Sequence, residues 1–238
     1  MKKKLIWNKA NTVILAIMIV IVAGIGQQKN TKHVQIPEEM TESAEDTGNV
    51  QKSVVHVDAE DYMGSGLVLD ITQDEVIVAT CRHLIDTARK VSLKIQEQQI
   101  EGRIMWRSQQ YDIAFLSFDR ELFQTEPVAV TLPDSEKKWQ ESTWLGTDVW
   151  QYSNAEKEEV HTGYITDEAY IAEFDCKLLV TDCFSRAGMS GGGVFDENGM
   201  LLGMILGGET AKESEKTYSI SSWIMQKEYE MAQNSMDK

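Results

Sequence analysis

Cysteine is scarce in this chain: Cys81, Cys176 and Cys183 are the only three in 238 residues. They form no even-numbered, closely spaced framework and no Cys-x-x-Cys pair, which leaves neither a disulfide scaffold nor a zinc knuckle supported. One pair plus one free thiol is the most this count allows. Basic charge is also short, with 23 Lys and Arg against 38 Asp and Glu and a net charge of −15. The only charged residues before Gln27 are Lys2, Lys3, Lys4 and Lys9, so the remainder is more acidic than the total suggests. Such a surface repels phosphate backbones, and no nucleic-acid partner is expected. The N-terminal apolar run, Val13 to Gly26, is about fourteen residues, short of the roughly twenty a membrane-spanning helix uses.

That run still follows four lysines, and positive charge stays on the cytoplasmic side. Residues 10–26 can span if Lys9 and Trp7 sit at the interface. The alternative is a signal peptide, with Gly24 and Gly26 as the small residues of a cleavage site, although the usual alanines are missing. The expectation is a basic cytoplasmic tail (1–9), a transmembrane anchor or signal peptide (10–26), and a body outside the cytoplasm. That body is held at the cell membrane, or secreted if the segment is cleaved.

Residues 27–50 are polar, acidic and poor in large apolar side chains, and read as a flexible stalk. Beyond them come short segments rich in Val, Ile, Leu and Thr, broken by Gly, Asp and Asn. Examples are SVVHVD, SGLVLD, EVIVAT, VSLKIQ, GRIMWR, DIAFLSF, STWLGT, EVHTGYIT, KLLVTD and MLLGMIL. Helical spacing is concentrated near residues 221–234, where Ser221 or Ser222 is placed to cap WIMQKEYEMAQ. Many short strands with one late helix predict an all-β sandwich or barrel pair over residues 51–238, not an α/β sheet.

Within RAGMSGGGVFDENGMLLGMI a single serine, Ser190, stands among four glycines. A serine hydroxyl is a poor nucleophile unless a histidine takes its proton and a carboxylate orients that histidine. His83 follows an apolar strand in VIVATCRHLID, and Asp112 precedes one in YDIAFLSF. Asp86 and Asp119 are alternatives for the carboxylate. His56 and His161 read as structural groups in mixed strands. The order His, Asp, Ser is that of chymotrypsin-like double barrels rather than of subtilisins or α/β-hydrolases.

Over most of Val54 to Ala232 the chain resembles the trypsin-like proteases of the high-temperature-requirement (HtrA/Deg) type. YMGSGLVLD resembles that family's Gly-Ser-Gly strand, VIVATCRHLID its histidine segment and YDIAFLSF its aspartate segment. TDCFSRAGMSGGGVFDENGMLLGMI resembles its nucleophile loop and following strand, and YSISSWIMQKEYEM its closing helix. The resemblance implies two six-stranded antiparallel barrels, about 50–131 and 141–208, with the site between them. It implies His83 as general base, Asp112 as its orienter and Ser190 as nucleophile, with the N–H groups of Gly188 and Ser190 as oxyanion hole. Gly191, Gly192 and Gly193 read equally well as turn or packing glycines. No metal, nucleotide or other cofactor is implied. Relatives of this type often form homotrimers through N-terminal segments.

The chain departs from the pattern in places. Met189 stands where pancreatic-type relatives have an aspartate that pairs with a freed N-terminus, so activation by that route is not expected. Too few residues follow Ile205 for the peptide-binding PDZ domain of many relatives. Phe184, six residues before the nucleophile, occupies the position those relatives place at the pocket floor. It carries no charge to select Lys or Arg, and small to medium apolar residues are expected on the acyl side of the cut. The function expected is therefore an extracytoplasmic serine endopeptidase acting on polypeptides. An esterase is a rival that the same reagents label. The rival of another class is a catalytically inactive, membrane-tethered protein that binds peptides in the same cleft.

Overall fold

The apolar run EVIVAT becomes strand β3 (Glu75–Thr80), buried at every position after its first. It is one stave of a closed barrel. The computed structural model describes residues 44–133, 139, 144–172, 175–209 and 213–236. The first barrel consists of β1 (Val54–Ala59), β2 (Tyr62–Ile71), β3, β4 (Val91–Ile95), β5 (Gln98–Arg107) and β6 (Ala114–Asp119). Every pairing is antiparallel, in the order β1-β2-β3-β6-β5-β4, and β4 returns to β1.

The second barrel repeats the plan with β7 (Asp148–Asn154), β8 (Glu158–Ile171), β9 (Cys176–Thr181), β11 (Gly193–Phe195), β12 (Leu201–Gly208) and β14 (Thr217–Ser221). Its order is β11-β12-β14-β9-β8-β7, closed by β11 on β7. A small ribbon, β10 (Ser185–Arg186) with β13 (Glu213–Ser214), stands outside it. The helices described over their full length are α1 (Ala44–Ser53), α2 (Arg82–Ile85) and α3 (Ser222–Met236), with a 3-10 turn at Arg120–Leu122. The all-β fold with two six-stranded barrels and a closing helix is thus the one the sequence predicts.

Closure leaves no free sheet edge, and the interiors fill with side chains. Leu67, Leu93, Ile100, Phe115 and Leu116 are fully buried in the first barrel, while Val194, Leu202 and Ile205 anchor a second cluster with Met189. Each such side chain contributes about 1.5–3 kcal/mol on removal from water. β6 is buried at five consecutive positions, so both of its faces are covered. Phe115 meets Tyr229 of α3 edge to face, with centroids 5.3 Å apart. The cap of α3 is Ser221, whose Oγ accepts the Ile224 N–H at 3.2 Å.

Several boundaries differ from expectation. STWLGT is not a strand in its described part: Thr147 N–H donates to the Trp144 carbonyl at 3.0 Å in a turn, and the strand starts at Asp148. The second barrel extends beyond residue 208, because β14 closes it between β12 and β9. β14 escapes a pattern search because its sequence TYSIS buries hydroxyls (Thr217, Ser219, Ser221) alongside Ile220. At the end of the segment read as stalk lies α1, with Val50 buried. The basic tail and residues 10–26 lie outside the described residues, among which no helix is long and apolar enough to cross a membrane.

Candidate active site

Where the barrels meet, β2 presents Ser65 to the loop that carries Ser190. Ser65 N–H donates to the Ser190 carbonyl at 2.8 Å, and Ser65 Oγ accepts the Asn154 N–H at 2.8 Å. Gly191 makes this approach possible. Its φ is +84°, and a Cβ there would lie 1.9 Å from the Ser65 carbonyl oxygen, closer than any side chain tolerates. Gly188 also has positive φ, +94°, in the turn closed by Met189 N–H on the Arg186 carbonyl at 3.2 Å. Met189 itself is buried in the second core cluster.

β3 ends at Thr80, whose hydroxyl donates to the Ser65 carbonyl at 2.7 Å, and Cys81 stands at the N-cap position, without a side-chain capping bond, of the single turn α2 that carries His83. Asp112 is delivered by the turn before β6. There Ser108 Oγ accepts the N–H groups of Gln110 and Tyr111, and the Arg82 guanidinium donates to the Ser108 carbonyl at 2.7 Å. Asp112 then grips His83 twice: Oδ1 accepts the backbone N–H at 2.8 Å, and Oδ2 accepts Nδ1–H at 2.6 Å. Of the carboxylates considered from sequence, Asp112 is the one that meets His83. Asp86 faces Arg82 at 4.0 Å, and Asp119 is exposed at the far end of β6.

The pair is electrostatically matched. Burial pushes the His83 imidazole toward neutrality, but the charge and hydrogen bond of Asp112 outweigh it, and its pKa lies above the ordinary value. Burial pushes Asp112 up, yet His83 and the two hydrogen bonds outweigh that, and its pKa lies below the usual carboxylate value. His83 Nε2 is buried and has no hydrogen-bond partner among the described residues.

Ser190 does not complete the set in this conformation. Its Oγ donates to the Leu206 carbonyl at 3.0 Å, and the side chain is nearly enclosed. Leu206 is available because the β12–β14 register slips between Ile205 and Gly207, leaving it outside the ladder. Phe184 packs in the second core cluster, with its ring 5.2 Å from His161 and its carbonyl accepting Gln151 Nε2–H at 3.1 Å.

Two features were missed by sequence reasoning. Arg186 forms a bidentate pair with Glu159 of β8, through Nε at 3.1 and 3.0 Å and through Nη2. Burial raises Glu159, but His161, Arg186 and Lys157 outweigh it and hold the carboxyl at a pKa of about 2. No spacing rule joins residues so far apart in the chain. The second feature is Cys81, buried beside the His83–Asp112 pair with Sγ 3.2 Å from the Ile205 carbonyl. His56 Nδ1 meets the Ala155 carbonyl, the structural role expected of it.

Residues 64–204 match the family model described as the trypsin-like peptidase domain, a stretch that includes His83, Asp112 and Ser190. Among solved structures, the fold is similar to an inactive-form serine-to-alanine mutant of Rv3671c from M. tuberculosis H37Rv. The two are 15% identical over 86% of this chain and 98% of that one, with a TM-score of 0.65. It is also similar to an inactive form of the Rv3671c protease, 16% identical over 82% of this chain and 94% of that one, with a TM-score of 0.62. At such identities the likeness is one of fold alone. No curated protein matches.

Proposed function

The chain belongs to the trypsin-like peptidase domain family, and on that premise we propose that it is a serine endopeptidase of the HtrA/Deg type, acting outside the cytoplasm through His83, Asp112 and Ser190. The observation that carries this reading is the pair of hydrogen bonds that His83 donates to Asp112, with both residues buried. An imidazole so oriented keeps its Nε2 lone pair directed away from the carboxylate, ready to take a proton.

In the proposed reaction Ser190 Oγ leaves the Leu206 carbonyl and turns to His83 Nε2. As Oγ attacks the peptide carbonyl, Nε2 takes its proton and Asp112 stabilises the imidazolium. The N–H groups of Gly188 and Ser190 receive the developing oxyanion, an interaction worth about 3–4 kcal/mol per donor in related chemistry. His83 then protonates the departing amine, leaving an acyl group on Ser190. Water attacks that ester with His83 again as base, and Ser190 recovers its proton. No step needs a metal or cofactor.

In this proposal residues 10–26 anchor the chain with the protease domain outside. The mature protein is then expected to sediment with membranes and to begin at Met1 or Lys2. A soluble product starting near Gln27 would replace the anchor by a signal peptide.

A second reading draws on one specific contact: the Ser190 hydroxyl is held by Leu206 rather than His83. A protein kept in that state binds peptides without cutting them. Labelling with a fluorophosphonate probe, followed by peptide cleavage, separates the two. Ser190-dependent labelling and cleavage are expected; a folded chain that takes no label favours the binding protein, and label without peptide cleavage favours an esterase.

A further inference from the structure

We propose that Cys81, His83 and Asp112 together form an inhibitory site for a tetrahedral divalent ion of the zinc class. The inhibitory consequence rests on the reading of His83 as general base, whereas the binding itself does not. One ligand atom from each residue, a thiol sulfur, an imidazole nitrogen and a carboxylate oxygen, lies within 4.8 Å of the others. The three side chains are 0%, 5% and 6% exposed. The Cys81 thiol is committed to no side chain: its sulfur meets backbone alone, the Ile205 carbonyl at 3.2 Å and the Gly191 N–H, so it is available to an ion held by His83 and Asp112.

Sulfur, nitrogen and oxygen donors together suit zinc or cobalt better than calcium or magnesium, which take oxygen. Donors about 2.0–2.3 Å from a tetrahedral ion stand about 3.3–3.7 Å apart. The imidazole and carboxylate, 2.6 Å apart, would therefore part by about 0.7 Å, while a shift in the β3–α2 turn draws the sulfur inward. The charges balance as well. A thiolate and a carboxylate neutralise a divalent ion, so the filled site carries no net charge in a place where a bare thiolate or an unpaired cation would be costly. Binding releases the thiol proton to solvent, and the Nδ1 proton passes to Nε2, so the imidazole stays neutral. A water completes the fourth position.

The ion silences the base through Nδ1, the nitrogen that faces Asp112. Ligation there takes the place of the Asp112 hydrogen bond and leaves the ring's proton on Nε2, where the Ser190 proton would have to go. Cys81 thus makes an inhibitory site of a pair that by itself offers the ion too few donors.

The test uses the detergent-solubilised full chain carrying Ser190→Ala, kept reduced and titrated with Co²⁺. A thiolate-to-cobalt absorption band and a visible band of tetrahedral cobalt are expected, saturating at one ion per chain and absent in Cys81→Ala. Cys81→Ser keeps the side chain's size and guards against a folding defect: it should melt like its parent and lack the band. In the chain with Ser190 intact, Zn²⁺ should inhibit peptide hydrolysis, a chelator should restore it, and Cys81→Ala should raise the half-inhibiting concentration at least tenfold. Absence of a cobalt band, or a band unchanged by Cys81→Ala, would overturn the site. Hydrolysis indifferent to zinc at saturating occupancy would overturn its inhibitory role. A band in a chain that hydrolyses nothing supports the site and counts against the protease reading alone.

Discussion

Ser190 Oγ donates its proton to the Leu206 carbonyl at 3.0 Å, while the Nε2 of His83 stays without a partner among the described residues. The nucleophile and its proposed base are therefore both in place but not joined by a hydrogen bond. One neutral hydrogen bond contributes about 1 kcal/mol net, so rotating the hydroxyl toward His83 is a small step beside any catalytic barrier.

Ser190→Ala is expected to lower kcat/KM for a peptide by roughly a thousandfold or more, with a cost in stability of only about 1 kcal/mol for the lost bond to Leu206. His83→Ala should lose as much activity, since the triad acts as a unit. Peptide hydrolysis by chromatography and urea unfolding measure the two. Retained hydrolysis in Ser190→Ala would remove this residue from the mechanism.

The pH dependence follows from the opposite shifts of His83 and Asp112. A base works only when neutral, so kcat/KM of the chelator-treated protein should fall as pH drops through a His83 value above the ordinary one of about 6.5. For stability, the raised His83 contributes fully below about pH 6.5 and loses its contribution as pH rises through its folded value. The lowered Asp112 contributes above about pH 3.9 and loses its share as pH falls through its folded value. The pair therefore stabilises most between roughly pH 4 and 6.5, read as Tm against pH in Ser190→Ala. Asp112→Asn should flatten both limbs and move the acid limb of activity down. An acid limb below that of free imidazole would contradict the pairing.

The two positive-φ glycines of the loop should separate stability from activity. Gly191→Ala drives a Cβ into the Ser65 carbonyl and should cost about 2–4 kcal/mol by strain and overpacking, visible as a lower Tm. At Gly188 the nearest atom to a Cβ is that of Ala155, at 3.4 Å. Gly188→Ala should therefore cost only about 1–2 kcal/mol in stability, yet about a hundredfold or more in kcat if its N–H swings away from the oxyanion. Equal losses in both variants would place the loop's glycines among ordinary turn residues.

Phe184 bears on specificity. Its ring lies in the second core cluster beside His161 and offers the pocket no charge. Cleavage after small to medium apolar residues is expected, and Phe184→Ala should shift preference toward larger ones by about 1–3 kcal/mol per methylene accommodated. A peptide-library profile dominated by Lys or Arg, or unchanged in the variant, would exclude this role.

Some of this was readable in advance and some was not, for physical reasons. EVIVAT and DIAFLSF announce their strands because both faces are buried, and apolar runs survive any register. His83 and Asp112 were legible because each sits at the edge of such a run. β14 was not, because its buried hydroxyls look polar until their partners appear: Thr217 Oγ1, for instance, donates to the Cys183 carbonyl at 3.0 Å. The hold of Leu206 on Ser190 was illegible for a deeper reason. It depends on a backbone oxygen freed by a bulge, and a sequence does not print its bulges. The ion pair of Arg186 with Glu159 likewise exists only once β8 and β10 are placed.

The closing helix also staples one barrel to the other. β14 completes one barrel, and the chain passes without a break into α3, whose Tyr229 hydroxyl donates to Asp70 on the other at 2.8 Å while its ring rests on Phe115. One continuous stretch of chain and two contacts of a single tyrosine thereby join the barrel that leads into α3 to the barrel whose β3 and β6 flank His83 and Asp112.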